Sequence, residues 1–156
     1  MKKIAFLTAL LISVNLFSQD ESTPPEGTKD KPVSVSNTDE LKKLDKLIES
    51  PRKKAMKTLS KTKERYLKGL PKGETLYLTV RIFDKDGKFE QIYARVKTWE
   101  GDKISARIGN ALGVVKEYKQ GQLIEFKESD VLDWTIVNAK GEEEGNYIGK
   151  YIDKHR

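Results

Sequence analysis

Several acidic residues cluster in the C-terminal third of the sequence, and they are the side chains best placed for chemistry. Glu125, Glu128 and Asp130 closely precede the pair Asp133-Trp134. Two carboxylates can cleave a glycosidic bond when apolar surroundings raise the pKa of one of them. A carboxylate-dependent hydrolase built around Asp133 is therefore one hypothesis, and it requires a cleft in which at least two acids converge.

A structural role also explains the pair Asp133-Trp134. A buried tryptophan needs an acceptor for its indole N–H, and an aspartate at the start of a strand can accept backbone N–H groups and fix a turn. In this interpretation the pair pins the turn from Glu128 to Leu132. In the alternative, an acid beside an aromatic ring faces a ligand.

The sequence contains few residues suited to other catalytic chemistries. The chain has no cysteine, and its single histidine, His155, stands beside the terminal Arg156. A Cys-His or Ser-His nucleophile and a zinc site are therefore not expected. The sequence from Asp84 to Gly87 begins like a calcium loop but lacks the later ligands, and Glu142-Glu143-Glu144 is interpreted as a solvated loop. We expect no metal and no cofactor.

Alternating apolar and polar residues dominate the segment from Glu74 to Trp134. Apolar residues take every second position from Leu76 to Ile82 and from Ile92 to Val96, which is the period of a half-buried strand. Asp86-Gly87 between them supplies the positive φ of a tight hairpin. Glu100-Gly101-Asp102 predicts a second turn, and further runs follow at Ile104 to Ile108, Val114 to Tyr118 and Gln122 to Lys127. Short loops without a helical pattern between them predict an antiparallel meander.

One face of this predicted sheet combines aromatic and arginine side chains, which suit recognition. Its members by parity are Tyr77, Arg81, Tyr93, Arg95 and Trp99. Either this face is exposed and binds a partner, or a helix covers it while the aliphatic face packs on the opposite half of the curled sheet. Asn110 follows Gly109 in what we interpret as a left-handed turn. The candidate binding residues are Tyr93, Arg95, Trp99, Asn110, Asp133 and Trp134.

Helical spacing characterises the segment before the strands. Asn37, with Glu40 three residues later, predicts a capping box. Because Pro51 suits a first helical turn and Ser50 suits an N-cap, the sequence predicts that a second helix begins there. The apolar stripe of the first helix is Leu41, Leu44, Leu47 and Ile48, and we expect Met56, Leu59, Tyr66 and Leu67 of the second to pack on the sheet.

Basic charge is concentrated on these helices. The formal net charge is +6; Asp39 to Lys72 carries twelve Lys or Arg against five acids, whereas Glu74 to Arg156 carries fourteen against fifteen. Contact with an anionic surface through Lys53, Lys54, Lys57 and Lys61 is one interpretation, and a solvated helix face is the other. Nucleic acid is not expected as a partner, because no aromatic residues are interleaved with these lysines.

The N-terminus resembles an export signal followed by a linker. Lys2-Lys3, an apolar run from Ile4 to Phe17 and then Ser18 are typical of a cleavable secretory signal over residues 1–18. The run is short for a membrane span, and a retained anchor is the alternative. Residues 19–37 are rich in Ser, Thr, Pro and charge and predict a disordered linker. Residues 38–156 are predicted to form a single α+β domain in the periplasm or outside the cell.

The order of these features resembles the YegJ-like family of bacterial domains of unknown function. After the basic helix and the Asp-Gly hairpin come the landmarks Phe89 to Tyr93, Gly109-Asn110, Gly121, Val131 to Trp134 and Gly145-Asn146-Tyr147. The similarity covers about Lys53 to Ile152. The family often has a histidine and a tryptophan where Gln91 and Tyr93 stand here. The resemblance implies a compact α+β domain and brings no established reaction.

The predicted fold is α+β, with amphipathic N-terminal helices packed on a strongly curved antiparallel β-meander of about five to six strands. We expect an exported, monomeric, non-enzymatic binding or interaction module, inhibitor-like or immunity-like, whose partner is an unidentified protein or envelope component. An envelope-surface protein that uses its basic helices and the carboxylate-dependent hydrolase are the alternatives.

Signal cleavage predicts that the exported protein begins near Gln19. Intact-mass measurement of protein exported by a bacterial host is expected to show the loss of residues 1–18. Leu10→Arg interrupts the apolar run and is expected to block both export and cleavage, whereas the matched Thr8→Ser control leaves them unchanged. Full-length protein held in the envelope fraction would contradict cleavage and support the retained anchor.

Overall fold

The computed structural model of the protein describes residues 34–35 and 38–155. The predicted signal peptide, most of the predicted linker and the capping residue Asn37 lie outside these residues. The helices are α1 (Thr38–Lys68) and α2 (Tyr147–His155). The strands are β1 (Ser34–Val35), β2 (Thr75–Phe83), β3 (Phe89–Glu100), β4 (Lys103–Ile108), β5 (Leu123–Lys127), β6 (Asp133–Val137) and β7 (Glu143–Gly145), and a single 3-10 turn spans Glu128–Asp130.

The strands form one antiparallel sheet in the order β5-β4-β3-β2-β6-β7, and β1 pairs with the beginning of β3. Strands β2 to β5 are the predicted meander, while β6 returns to the other side of β2 and is followed by β7. The Asp-Gly hairpin is confirmed: the Asp84 N–H donates to the Lys88 carbonyl at 2.9 Å, and Gly87 has φ of 78°. The predicted α+β class with a curved antiparallel sheet is therefore confirmed.

A single continuous helix replaces the two predicted helices. The buried positions of α1 are Leu44, Ile48, Pro51, Ala55, Leu59 and Thr62, three or four residues apart throughout, as the inner face of one helix requires. Pro51 lies inside the single helix, as part of this stripe, and does not begin a second one. The apolar packing of its buried ring helps to offset the cost of proline in a helix interior.

Two of the leucines predicted to pack are instead exposed. Leu47 and Leu67 are 46% and 58% exposed, because both lie outside the buried stripe of α1. The last buried position of that stripe is taken by Thr62. Although α1 has 31 residues, neither it nor α2 contains a stretch apolar enough to cross a membrane.

Helix α1 covers the aliphatic face of the sheet. Ala55 and Leu59 belong to one buried cluster with the aliphatic residues of β2, β3 and β4, and Met56 and Tyr66 pack against it. Trp134 anchors the helix to β6, since its indole N–H lies 3.0 Å from Thr58 Oγ1 and 3.3 Å from the Ala55 carbonyl. The prediction of an exposed aromatic and arginine face was nevertheless wrong, because Tyr77 is 4% exposed and Arg81 pairs with Asp45 of α1 at 2.6 Å.

Trp99 does not share a face with Tyr93 and Arg95, and this prediction was wrong. The pairing of β3 with β4 shifts register between Val96 and Thr98, and such a bulge reverses the alternation of side chains beyond it. Trp99 therefore joins the cluster beneath α1, where it is 3% exposed and its ring centre lies 6.5 Å from that of Tyr66.

The predicted strand from Val114 to Tyr118 is a loop. The backbone N–H groups of Gly113, Val114 and Val115 donate to the Glu90 carboxylate at 2.7 to 3.0 Å, so they are not available to a neighbouring strand. Gly109 does not adopt the predicted left-handed conformation. It is required for close approach instead, because a Cβ there would lie 2.9 Å from the Tyr93 carbonyl oxygen.

The C-terminal segment is more regular than predicted. Glu143 and Glu144 lie in β7, paired with β6, instead of in the solvated loop expected for the three glutamates. Helix α2, which the sequence analysis did not predict, follows directly from this strand. Its Ile148 packs with Leu44 and Ile48 of α1, so α2 extends the core on the side of the N-terminal half of α1.

Gly145 is predicted to be the glycine least tolerant of a side chain. It has φ of 82°, and a Cβ there would meet the Trp134 carbonyl oxygen and lie 2.7 Å from ring carbon Cε3. Gly145→Ala is expected to lower the free energy of unfolding by at least about 2 kcal/mol more than Gly87→Ala. The Gly87 control has nearly the same φ but nothing within 4 Å, so it loses only about 1 to 2 kcal/mol. Urea unfolding of both variants measures the difference, and equal losses would show that the contact with Trp134 is unimportant.

Candidate functional site

A groove of about 760 Å³ lies between β5 and the C-terminal end of β2. Residues 80–83 of β2 form one wall, and residues 122–126 form the other. These strands are not hydrogen-bonded neighbours, since β3 and β4 lie between them in the sheet. The groove therefore exists because the sheet curls far enough to bring β5 opposite β2 without closing.

The groove offers both apolar and polar contacts. Phe83 and Leu123 are 49% and 50% exposed, and Ile124 and Phe126 are only partly buried. Polar side chains enter from other elements: Arg52 from α1, Tyr118 from the loop before β5, and Ser129 and Asp130 from the 3-10 turn. Exposed apolar side chains with a few polar groups around a concavity are typical of a binding site.

Hydrogen-bonded carboxylates position the segments around this groove. Glu90 is 3% exposed and holds the three amides of the loop that continues to Tyr118. Glu128 accepts hydrogen bonds from Lys63 Nζ at 2.6 Å and from the Trp99 indole N–H at 3.2 Å, which ties the 3-10 turn to α1 and β3. Neither of these two sets of contacts was predicted from the sequence.

Asp133 is a helix anchor. Its carboxylate accepts the backbone N–H of Trp134 at 2.7 Å and that of Ile148, in the first turn of α2, at 2.6 Å. The prediction that it fixes the turn from Glu128 to Leu132 was therefore wrong, because its carboxylate instead accepts a backbone N–H of α2. A carboxylate at a helix N-terminus satisfies amides that have no partner within the helix.

Burial raises the pKa of Asp133 from its ordinary value of 3.8 to about 7, against the lowering effect of the amides of Ile148, Trp134 and Tyr147 and of the charge on Lys150. A raised pKa would suit a general acid. However, Asp133 is 0% exposed and does not line the groove, so a substrate in the groove has no access to it.

The structure distributes the other sequence-predicted residues over several places. Trp134 and Trp99 lie beneath α1. Asn110 supports the sheet, because its Oδ1 accepts the Tyr93 N–H at 2.8 Å. Arg95 and Trp99 border a second concavity, of about 490 Å³, at the C-terminal end of α1. The six candidates therefore do not form one site, and none of them lines the groove.

The predicted basic surface is present on the outside of α1. Lys53, Lys54, Lys57 and Lys61 are all exposed, on the side opposite the buried stripe, and Lys53 pairs with Glu49 at 2.6 Å. Lys63, by contrast, is turned inward to Glu128. Within residues 34–35 and 38–155, no cluster of His, Asp and Glu side chains could hold a metal ion.

The groove was missed because it depends on how far the sheet curls, which no local pattern reveals. A signal for one of its supports was present in the sequence. Glu90 has the parity of Ile92 and Ala94, so the alternation places a carboxylate on the aliphatic face. A buried carboxylate requires hydrogen-bond donors, and the amides of the adjoining loop supply them.

Comparison with known proteins identifies a family but no characterised relative. A family model described as "Uncharacterized protein conserved in bacteria (DUF2314)" matches residues 44–155. No curated protein and no solved structure matches the chain.

The raised pKa of Asp133 predicts a pH-dependent stability. Because the pKa is about 7 in the folded protein and ordinarily 3.8, the folded state binds more protons between these values. The free energy of unfolding is therefore expected to fall as pH rises from about 4.5 to 7, by about 3 kcal/mol, and to level off above pH 7.

The control for this prediction is Asp133→Asn, which does not titrate. The variant is expected to be less stable at pH 5 by about 1 to 3 kcal/mol, because one of the two amide donors faces an NH₂ group in place of an acceptor. Its unfolding free energy, measured in urea between pH 4.5 and 8.5, is expected to lack the fall specific to Asp133. Parallel pH profiles for the two proteins would contradict the raised pKa.

Proposed function

The chain belongs to the DUF2314 family of bacterial proteins, and we propose that it is a non-enzymatic binding module whose partner occupies the groove between β2 and β5. The observation that supports this function is the pair of half-exposed side chains Phe83 and Leu123 at the opening of a concavity of about 760 Å³. Burying such side chains against a partner contributes about 1.5 to 3 kcal/mol each.

The burial and hydrogen bonding of the acidic residues favour a binding role over a hydrolase. Asp133, with its pKa raised to about 7, is sealed beneath α2. Glu90 and Glu128 are already bonded to amides, to Lys63 and to Trp99. These three carboxylates therefore support the fold. Glu125 and Asp130 do line the groove, but both are exposed, so neither lies in the apolar surroundings that a general acid of this kind requires.

The proposal includes export. The N-terminal sequence supports removal of residues 1–18 and action in the periplasm or outside the cell, on a protein or envelope component, in an inhibitor-like or immunity-like manner. We also propose that the narrower family is the YegJ-like one, on the order of the motifs from the basic helix to Gly145-Asn146-Tyr147.

A second candidate function is attachment to an anionic surface through α1. It is favoured by the exposure of Lys53, Lys54, Lys57 and Lys61 on one side of a long helix. Electrostatic attachment of this kind weakens as salt screens the charges. It is compatible with the groove function, since the lysines face away from the buried stripe.

The groove function predicts that a charge at Phe83 abolishes binding. The fluorescent probe 8-anilinonaphthalene-1-sulfonate, an apolar ring system with one negative charge, is expected to bind the native protein. Phe83→Asp is expected to weaken this binding on the order of tenfold or more, since the apolar contact is lost and a like charge is introduced. Leu67→Asp is the matched control, because Leu67 is similarly exposed but lies on α1 outside the groove.

Both variants must retain the unfolding transition of the parent, since partly unfolded proteins also bind this probe. The same pair then tests the natural partner: a component captured from the envelope fraction by the parent and by Leu67→Asp, but not by Phe83→Asp, is expected. Equal probe binding by all three proteins would overturn the groove as the site.

A further inference from the structure

Strand β5 forms one edge of the sheet, and its hydrogen bonds to β4 fix which residues face outward. The Ile108 N–H donates to the Gln122 carbonyl at 3.0 Å, and the Glu128 N–H donates to the Asp102 carbonyl at 2.8 Å. In an antiparallel pair, alternate residues direct their backbone groups to the partner strand. Ile124 and Phe126 therefore bond to β4, and Leu123, Glu125 and Lys127 direct their backbone groups away from it.

The outward backbone groups of β5 are largely unpaired. The N–H of Lys127 confirms the alternation, because it donates to Asp130 Oδ2 at 2.9 Å, outside the sheet. For Leu123 and Glu125, no described residue supplies a partner to the outward N–H and C=O groups. Both residues line the groove, so one wall of the groove presents a row of free backbone donors and acceptors.

We propose that the occupant of the groove is an extended segment of another polypeptide, which adds to the sheet as a strand beside β5. This inference rests on the proposed function and specifies its partner. A free strand edge binds an extended peptide through main-chain hydrogen bonds, and pockets for alternate side chains give specificity. Here the unpaired edge and the groove lined by Phe83 and Phe126 lie together, as this mode of binding requires.

The side chains of β5 define the composition of the added strand. Residues opposite Ile124 and Phe126 point into the groove and are therefore apolar. A residue opposite Glu125 lies beside an exposed carboxylate, which favours lysine or arginine, and the residue opposite Lys127 is favourably acidic. The partner is thus a strand in which apolar residues alternate with charges complementary to those of β5.

A second copy of this chain does not meet these requirements. Glu125 is the central residue of β5, so symmetric antiparallel pairing centred on it would place two Glu125 carboxylates directly opposite each other. Like charges in opposed positions destabilise a strand pair. Symmetric pairing centred on Phe126 would place Glu125 opposite Lys127, but the Lys127 N–H is already donated to Asp130 Oδ2 at 2.9 Å. Both registers are therefore disfavoured, and a different polypeptide is favoured.

The probe is the peptide acetyl-Glu-Val-Lys-Val-Thr-amide, aligned antiparallel so that its lysine lies opposite Glu125. Titrated into the protein lacking residues 1–18, it is expected to shift the amide resonances of Leu123 and Glu125 and to slow their hydrogen exchange. Methylation of the lysine backbone nitrogen removes the donor to the Glu125 carbonyl and is expected to weaken binding at least tenfold. Methylation of the adjacent valine nitrogen, which faces away from β5, is the matched control and is expected to weaken binding much less.

Variants of the protein provide the reciprocal test. Glu125→Pro removes the outward N–H while sparing the ladder to β4, and it is expected to abolish peptide binding. Glu125→Gln keeps the N–H and loses only the charge, so its expected loss is at most about fivefold. If the proline variant fails to fold, the two methylated peptides decide the question on the parent protein.

The outcomes separate this inference from the groove function. Equal binding of both methylated peptides, or peptide-induced shifts that miss Leu123 and Glu125, would overturn strand addition. If the fluorescent probe still binds the parent and binds Phe83→Asp more weakly, the groove function would still be supported. Failure of both dye and peptide would remove the two proposals together, and a dimer of the parent that dissociates on Glu125→Pro would identify a second copy as the occupant.

Discussion

The packing of α1 on the aliphatic face of a curved sheet is the constraint on which the rest of the structure depends. The buried stripe runs without a change of phase from Leu44 to Thr62, so one rigid helix lies across the sheet. Trp134 fixes its position, because the indole N–H is satisfied by Thr58 and Ala55. The sheet beneath the helix curls, and this curl brings β5 opposite β2 and opens the groove.

Three hydrogen-bonded carboxylates, two of them buried, hold the irregular segments around this framework. Glu90 binds the loop before β5, Glu128 binds Lys63 and Trp99, and Asp133 binds the first turn of α2. Removing a carboxylate from water is costly unless donors replace the water, so each contact couples a local conformation to the folding of the core. Glu90, Glu128 and Asp133 are therefore engaged in structure, whereas the acids that line the groove, Glu125 and Asp130, lie at exposed positions.

The elements that follow from local pattern could be predicted, and those that depend on a single inserted residue or on curvature could not. The period-2 runs and the Asp-Gly turn of β2 and β3 were correct because both signals are local. Trp99 was assigned to the wrong face because one extra residue between Val96 and Thr98 reverses the alternation of side chains between the two faces. The residue types at this point do not indicate such a bulge. Pro51 was misread as a helix start, although the apolar stripe continued in phase on both sides of it. Both strands that form the walls of the candidate site were predicted, but their approach was not, since residues 80–83 and 122–126 meet only through the curl of the sheet.

The charge on β5 reconciles a free edge with a stable protein. Exposed edges invite pairing with other copies, and proteins limit this by keeping such strands short and charged. Strand β5 has five residues and carries Glu125 and Lys127 at exposed positions, whereas the opposite edge, β7, has only three residues. Repulsion between two Glu125 side chains disfavours one symmetric register of self-association, and the bond from the Lys127 N–H to Asp130 disfavours the other. The same charges favour a strand of complementary sequence. Selectivity for a partner and protection from aggregation are thus two consequences of one arrangement of side chains along the edge.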